Sequence, residues 1–301
     1  MLSLHTNAAA LSAQNSISRT QMALSTSQTR LSTGFRVNSA MDDAAGLQIA
    51  TRLTAQTSGM AMAMRNTQNS ISMLQTAEGA FDEVTTMLTR MKDLATQAAD
   101  ASSTAKDQAA LQSEFDALGS ELNNVMKNTT FGGAKLMDGG TIASAMTFQI
   151  GATKAETMSI DLSAAMTALT GTALTNVSAR YAAGGAAVGT EISDGTDGTA
   201  SVSNAAGQTA ANAAIDTIST AIDAVGGIRS SLGAAANRLD HVYNNLSNIS
   251  TNTKAAKGRI MDTDFAAESS NMTSSQMLLQ AGTAMLKQSN STSSLVMSLL
   301  Q

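Results

Sequence analysis

The sequence predicts a mostly α fold: long antiparallel coiled-coil helices from both chain ends pack together, with a small β-hairpin in the middle. Three observations predict it. Leu53, Met60, Thr67, Leu74, Phe81, Leu88 and Ala95 stand seven residues apart, and all but Thr67 are apolar, so one face of a long helix meets a neighbour at every second turn. A second frame, Ala211 to Ile260, keeps alternating spacings of four and three. The chain also contains no proline, where average usage of about 5% predicts roughly 15 in this length. Proline inside a helix costs about 3 kcal/mol, so its absence permits long uninterrupted helices.

The elements follow in order. Residues 4–33 carry Ala10, Ile17, Leu24 and Leu31 seven apart, as are Leu4 and Leu11. The remaining positions are mostly uncharged and polar, so the stripe is narrow and this helix is marginal without a partner. The segment STGFRVNS breaks it: Gly34 and Asn38 tolerate positive φ, and Ser39 with Asp42 reads as a capping box. A helix over 43–98 follows, about 84 Å long at 1.5 Å per residue, with Val84, Met91 and Ala98 as its second seam. After the turn ADASS, Thr104 and Asp107 form another capping-box pair. Leu111, Phe115, Leu118, Leu122 and Val125 then mark a third helix over 104–128, folding back on the second.

The signal changes after residue 131. FGGAKLMDGG is turn chemistry. MTFQIGA and TMSIDL alternate, with Met158, Ile160 and Leu162 on one face, which predicts a β-hairpin within 139–163. Residues 179–206 are Gly, Ala, Thr, Ser and Asp with little periodicity and read as a short surface loop or a very small module. The last third returns to helix: Ala211, Ile215, Ile218, Ile222, Val225, Arg229, Leu232, Ala236, Leu239, Tyr243 and Leu246 open the second frame. A break near MDTDF separates it from Phe265, Met272, Leu279, Leu286 and Leu300, again at multiples of seven. Each stripe needs a partner, so the two chain ends must pair.

Composition excludes several functions. Without cysteine there is no disulfide framework, thiolate metal site or thiol nucleophile. Two histidines, His5 and His241, cannot build a three-histidine site. A net charge of −5 argues against a nucleic-acid binder. No run of 18 apolar residues exists, so no transmembrane helix is expected, and the opening residues lack the apolar stretch of a cleaved secretion signal. GGAAVG has no strand and helix around it, so it is not a phosphate loop. Met60, Met62 and Met64 fill gaps near the seam. The reading is a non-enzyme without cofactor or metal.

At RLSTGFRVNSAMDDAAGLQIATRL (30–53) the chain resembles bacterial flagellin. HTNAAAL, SISMLQTAEGAFDEV (70–84), LTRMKDLATQAA (88–99), FGGAKLMDGG, FQIGA and the end from RIMDTDF to VMSLLQ (259–301) extend the match over nearly everything except about 164–208. The resemblance implies an inner coiled-coil domain of 1–43 with 258–301. It also implies a helical domain with the hairpin, 44–178 with 207–257. Residues 179–206 are too few for the large outer domain many flagellins carry. No zinc-peptidase HExxH motif occurs.

By the same resemblance, Ala10, Ile17, Leu24, Leu31, Leu279 and Leu286 line the seam of the inner tube. Arg30, Arg36, Asp42 and Asp43 form a spoke between domains, read as a salt-bridged junction or as solvated charge near a helix start. Arg90, Leu94, Gln97 and Glu114 match the surface an innate immune receptor reads, which doubles as an inter-subunit contact. Leu286, Leu295, Leu299 and Leu300 match a chaperone-binding tail. The implied partners are further copies of the chain, the export chaperone and type III export apparatus, the filament cap and hook–filament junction proteins, and the host receptor. The expected location is the extracellular filament. Narrow seams at both ends also lead there physically, because contacts repeated head to tail without closing give an open helical filament. The alternatives are a hook–filament junction protein of the same superfamily, or a secreted adhesin using 179–208.

Overall fold

The computed structural model describes residues 7–185, 189–193 and 204–299, with residue 204 and residues 293–299 as backbone only. Helices α1 (Ala8–Thr33), α2 (Ala44–Ala98) and α3 (Ala105–Asn128) open the chain. Two hairpins follow: β1 (Thr130–Phe131) with β2 (Ala134–Lys135), and β3 (Met146–Gln149) with β4 (Thr157–Ile160). Next come α4 (Ser163–Ala168), a π-helical turn (Leu169–Ala173), α5 (Leu174–Val177) and α6 (Ala179–Ala182). Helices α7 (Asn204–Met261) and α8 (Phe265–Leu299) complete it. The chain divides into two compact units, Met1–Ser58 with Ile249–Gln301 and Gly59–Asn248. The sequence-derived bounds at 43 and 258 lie at helix ends, whereas this division falls inside α2 and α7.

In the second unit the heptad frame is the core. Leu74, Phe81, Leu88 and Ala95 of α2 are buried, and so are Val84, Met91 and Ala98. Helix α7 runs antiparallel to α2. Leu246 packs in one cluster with Met60 and Ala63, while Arg229 reaches Glu78 and Asp82, both at 2.9 Å. The α7 frame differs in one respect from the sequence reading. Ala211, Ile218, Val225, Leu232 and Leu239 are buried as expected. Their companions in the core are Ala214, Ala221, Ile228 and Ala235, while Ile215, Ile222, Arg229 and Ala236 are half-buried. Alanines let the helices approach closely, and hydrophobic ranking alone favours the bulkier neighbour on the flank.

The turns follow their chemistry. Thr104 and Asp107 form the expected capping box of α3. Gly132 and Gly133, at φ 58° and 85°, make the two-residue β1–β2 turn that requires positive φ at both central positions. In the second hairpin Met146 pairs with Ile160 and Phe148 with Met158. Met158 and Leu162 are buried and Ile160 packs against the same core, as the alternation predicts.

The surface-loop expectation for 179–206 is corrected over its described part. Residues 179–182 are helix α6, Tyr181 and Ile192 are buried, and residues 189–193 lie on α3. Residues 186–188 and 194–203 lie outside the described residues. Gln108, Gln112, Asp116 and Asn123 make a buried polar stripe on one face of α3, and Gln112 and Asp116 hold the segment. Gln108 Nε2 donates to the carbonyl of Ala98 at 2.9 Å, an acceptor left open at the end of α2. Gln112 accepts from the Ile192 N–H and donates to Asp116 and Glu191, each at 2.9 Å. Asp116 accepts from the Gly189 N–H at 3.1 Å and faces Arg180 at 3.5 Å. Glu191 also accepts from the Ala179 N–H. The low apolar content of the segment concealed this, because it is fixed by hydrogen bonds.

Gly119 lies in the same face. A Cβ there would collide with Ser178 Oγ and stand 3.2 Å from Arg180 Cβ. Gly119→Ala is therefore expected to destabilise the protein by roughly 1–3 kcal/mol through overpacking, against the ~1 kcal/mol gain that helix propensity alone predicts. Urea unfolding followed by circular dichroism decides the sign, and a stabilised variant would refute the close contact.

Candidate functional site

The first unit is built on a seam between α1 and α8. The direction is antiparallel: Asn7 Nδ2 donates to Ser289 Oγ at 3.2 Å, Ile17 faces Gly282, and Arg30 pairs with Glu268 at 3.8 Å. Ala10, Ile17, Leu24 and Leu31 are half-buried in this seam, as are Leu279 and Leu286. The second line consists of small and polar residues: Ala13, Thr20 and Ser27 on α1, Ser275, Gly282 and Ser289 on α8. A Cβ at Gly282 would stand 2.9 Å from Ile17 Cγ1, so the missing side chain sets how closely the helices approach. Reading for large apolar residues missed this line; its signal is the sevenfold spacing of small residues at 275, 282 and 289.

Beyond that seam the helices are bare. Leu11 and Met22 on α1, and Phe265, Met277, Leu278 and Met285 on α8, are all more than half exposed. Phe35, Met41, Ile49 and Ile249 are exposed as well, so among the described residues every exposed large apolar side chain except Met62 belongs to the first unit. Leu295 and Leu299 lie on the α8 backbone with undescribed side chains, and Leu300 lies outside the described residues.

The spoke residues are placed by local chemistry. Gly34 ends α1 at φ 75°, a left-handed conformation that glycine adopts without strain. The chain then runs antiparallel to the α7–α8 junction: Phe35 bridges Asp262, the Arg36 N–H donates to the Met261 carbonyl at 2.6 Å, and the Thr263 N–H donates to Gly34 at 3.0 Å. Of the two readings of Arg30, Arg36, Asp42 and Asp43, the salt-bridged set is not formed among the four themselves. Arg30 pairs with the buried Glu268, and the Arg36 guanidinium donates to the Ile260 carbonyl at 3.1 Å, at the negative end of the α7 dipole. Asp42 accepts from the Ser39 and Asn38 N–H groups at 2.9 and 3.1 Å. Asp43 accepts from the Gly46 N–H at 2.8 Å, so Asp43 caps α2 while Ser39 and Asp42 close the turn before it. Both carboxylates are engaged by the backbone that follows or precedes them, which leaves the arginines to other partners.

On the second unit, Arg90 Nε and a terminal nitrogen donate to Glu114 Oε1 at 2.9 and 2.6 Å, and both side chains are about half exposed. Gln97 is exposed and shares with Glu114 a cleft of about 500 Å³ that includes Asp100, Ser103 and Asp107. Leu94 is a correction: it is 1% exposed and sits in the core beside Met91, Ala95 and Ala98. The buried stripe of α2 widens there because α3 and α7 both pack against it, so Leu94 supports this surface from beneath. His241 is exposed, and His5 lies outside the described residues. Among the described residues no cluster of metal-ligating side chains forms, and no helix is long and apolar enough to cross a membrane.

The fold and these surfaces define an α-helical assembly subunit whose chain ends pair and leave apolar faces open. "Bacterial flagellin N-terminal helical region" matches residues 4–141 and "Bacterial flagellin C-terminal helical region" matches residues 215–300. Flagellin B of Vibrio anguillarum is 34% identical across 99% of both chains, and Flagellin A of Vibrio cholerae serotype O1 is 34% identical across the whole of both. The first alignment runs over 375 positions against the 301 residues here, so that relative carries segments this chain lacks. A flagellar hook-associated protein structure from Vibrio parahaemolyticus shares the fold, at TM-score 0.57 and 16% identity over 73% of this chain and all of that one. The chain belongs to the bacterial flagellin family, a family of structural proteins and not of enzymes.

The turn before α2 has a readable titration. Hydrogen bonds from the backbone N–H of Ser39, then of Asn38, hold the Asp42 carboxyl below its ordinary value of 3.8. A depressed folded value means the turn is favoured above the ordinary carboxylate range and loses that support as pH falls through the folded value. The amide resonances of Asn38 and Ser39 are expected to titrate together with a midpoint below 3.8, and a midpoint at or above that value would exclude the bonds.

Proposed function

We infer that the chain is a structural subunit that polymerises into the extracellular flagellar filament, after export unfolded through the flagellar type III apparatus. The observation that carries the assembly reading is the unpartnered apolar surface of α1 and α8 on the paired-end unit. One seam is closed within the chain, and the opposite faces are left for neighbouring copies. Repeated without closure, such contacts generate a helical polymer. The inner coiled-coil domain would comprise residues 1–43 with 258–301, and the helical domain with the hairpin residues 44–178 with 207–257. Passage as an unfolded chain suits a sequence without cysteine or proline, which refolds without disulfide formation or slow isomerisation.

The test is seeded growth. Leu278 is 62% exposed, so Leu278→Lys is expected to leave the helical content of the monomer unchanged. Growth on filament fragments should fall at least roughly tenfold, because a charge is buried at the new contact. Normal growth of the variant would show that this face is not an interface. Short caps without elongation from the unmodified chain would favour the hook–filament junction alternative.

The tail with Leu286, Leu295, Leu299 and Leu300 would serve first the export chaperone and later the filament, since both need an amphipathic segment. Filament cap and junction proteins would meet the same terminal helices. The host receptor surface would comprise Arg90, Gln97 and Glu114, with Leu94 beneath. Here the Arg90–Glu114 pair fixes both heads in one geometry. Arg90→Ala is expected to lower receptor activation by monomer roughly tenfold, while stabilised filament stays inactive. Equal activity of monomer and filament would refute a surface shared between receptor and neighbouring subunits.

A further inference from the structure

We propose that Met22, Met277 and Met285 form an oxidation-sensitive modification site, at which conversion of exposed thioethers to sulfoxides blocks assembly. The proposal rests on the assembly role inferred for α1 and α8.

Composition sets the chemistry. The chain has 19 methionines and neither cysteine nor tryptophan. With no thiolate to react first, a peroxide or hypochlorite reaching the protein is directed to thioether sulfur. Structure then selects among the methionines. Met60, Met87, Met91, Met126, Met137, Met146, Met158 and Met166 are buried in the second unit and shielded. Met22, Met277 and Met285 are 61%, 59% and 70% exposed, and all three belong with Leu11 and Leu278 to the exposed apolar residues of α1 and α8. Met41 is 97% exposed in the turn before α2 and Met62 is 48% exposed on α2 in the second unit, which makes both reactive sites away from α1 and α8.

The reaction is a two-electron oxygen transfer. Sulfur attacks one peroxide oxygen, the O–O bond breaks, an S–O bond forms, and the other oxygen leaves with the proton as water. Sulfur is oxidised and peroxide is reduced. The product replaces a polarisable apolar group with a strong hydrogen-bond acceptor. On an exposed helix face this costs the monomer little. Once the same face is covered by a neighbour, the sulfoxide oxygen is buried without a donor and opposes the contact. Methionine at these positions therefore makes assembly conditional on the redox history of the unassembled chain, as leucine at 11 and 278 does not.

The experiment treats full-length monomer with hydrogen peroxide, maps sulfoxides by peptide mass spectrometry, and measures the critical concentration for growth on untreated filament fragments. A triple variant, Met22→Leu with Met277→Leu and Met285→Leu, is treated alongside, and circular dichroism reports the fold of each sample. The expected result is oxidation of Met41 and the three helix sites ahead of the buried methionines. Oxidised wild type should show a critical concentration raised by roughly tenfold or more, while the treated triple variant stays at its untreated value. Oxidised wild type growing at its untreated critical concentration would overturn the proposal. So would equal inhibition of the triple variant, which would place the effect elsewhere. Untreated wild type that fails to grow would overturn the filament reading itself, an outcome distinct from either.

Discussion

A helix whose apolar residues form a narrow stripe can bury only that stripe, and this constraint organises the whole chain. In the first unit α1 and α8 spend their best stripe on each other, and the apolar seam residues Ala10, Ile17, Leu24, Leu31, Leu279 and Leu286 are only half-buried as a result. Two isolated helices cannot enclose a core. The second unit solves the same problem differently. Helix α2 meets α7 on one side, and α3 with the hairpins and α4 to α6 cover the rest, so Phe81, Leu88, Met91 and Phe115 are fully removed from water. Full burial of such side chains contributes about 1.5–3 kcal/mol each. The units thus differ in kind: one carries its own stability, and the other keeps apolar area in reserve for contacts outside the chain.

The sequence made the large helices legible because heptad spacing over 40 or more residues has few alternative explanations. Leu53 to Ala95 needed only counting, and the helix ends at 33, 44, 98 and 261 lay within a few residues of their signals. Less was legible where burial does not follow hydrophobicity. Ala214, Ala221 and Ala235 are in the core of α7 because they are small, and a scale that ranks isoleucine above alanine shifts the frame by one residue. Gly282 is invisible to any such scale, yet its bare backbone determines how near Ile17 comes. The segment after 178 is the clearest miss. Its anchor, Gln112 with Asp116 and Glu191, is polar and spans 79 residues of chain, and no local pattern reports it.

Charged residues show the same limit. Four of them near one junction, Arg30, Arg36, Asp42 and Asp43, suggest ion pairs among themselves. Geometry assigns each carboxylate to nearby N–H groups first, because a turn and a helix start present those donors at fixed positions without any side-chain ordering. Arg36 is then free to close the end of α7, and Arg30 to neutralise Glu268. Leu94 illustrates the converse. A residue placed on a recognition surface by resemblance can belong to the layer beneath it, where it positions Arg90 and Gln97 on the helix face above.

These features explain why the chain ends are long, helical and incompletely packed. A subunit that buried all of its apolar surface internally would be a stable monomer with nothing to offer a neighbour. A subunit that buried none would collapse with any hydrophobic surface before reaching its own kind. The α1–α8 seam, with its line of alanine, serine, threonine and glycine, holds an intermediate position: close enough to fix a register through Asn7, Gly282 and Glu268, and too thin to be sufficient alone. The register matters more than the strength. It fixes which residues face outward, so Leu11, Met22, Leu278 and Met285 are presented in one defined arrangement that a second copy can read. Specific polymerisation follows from weak internal packing of a well-defined geometry.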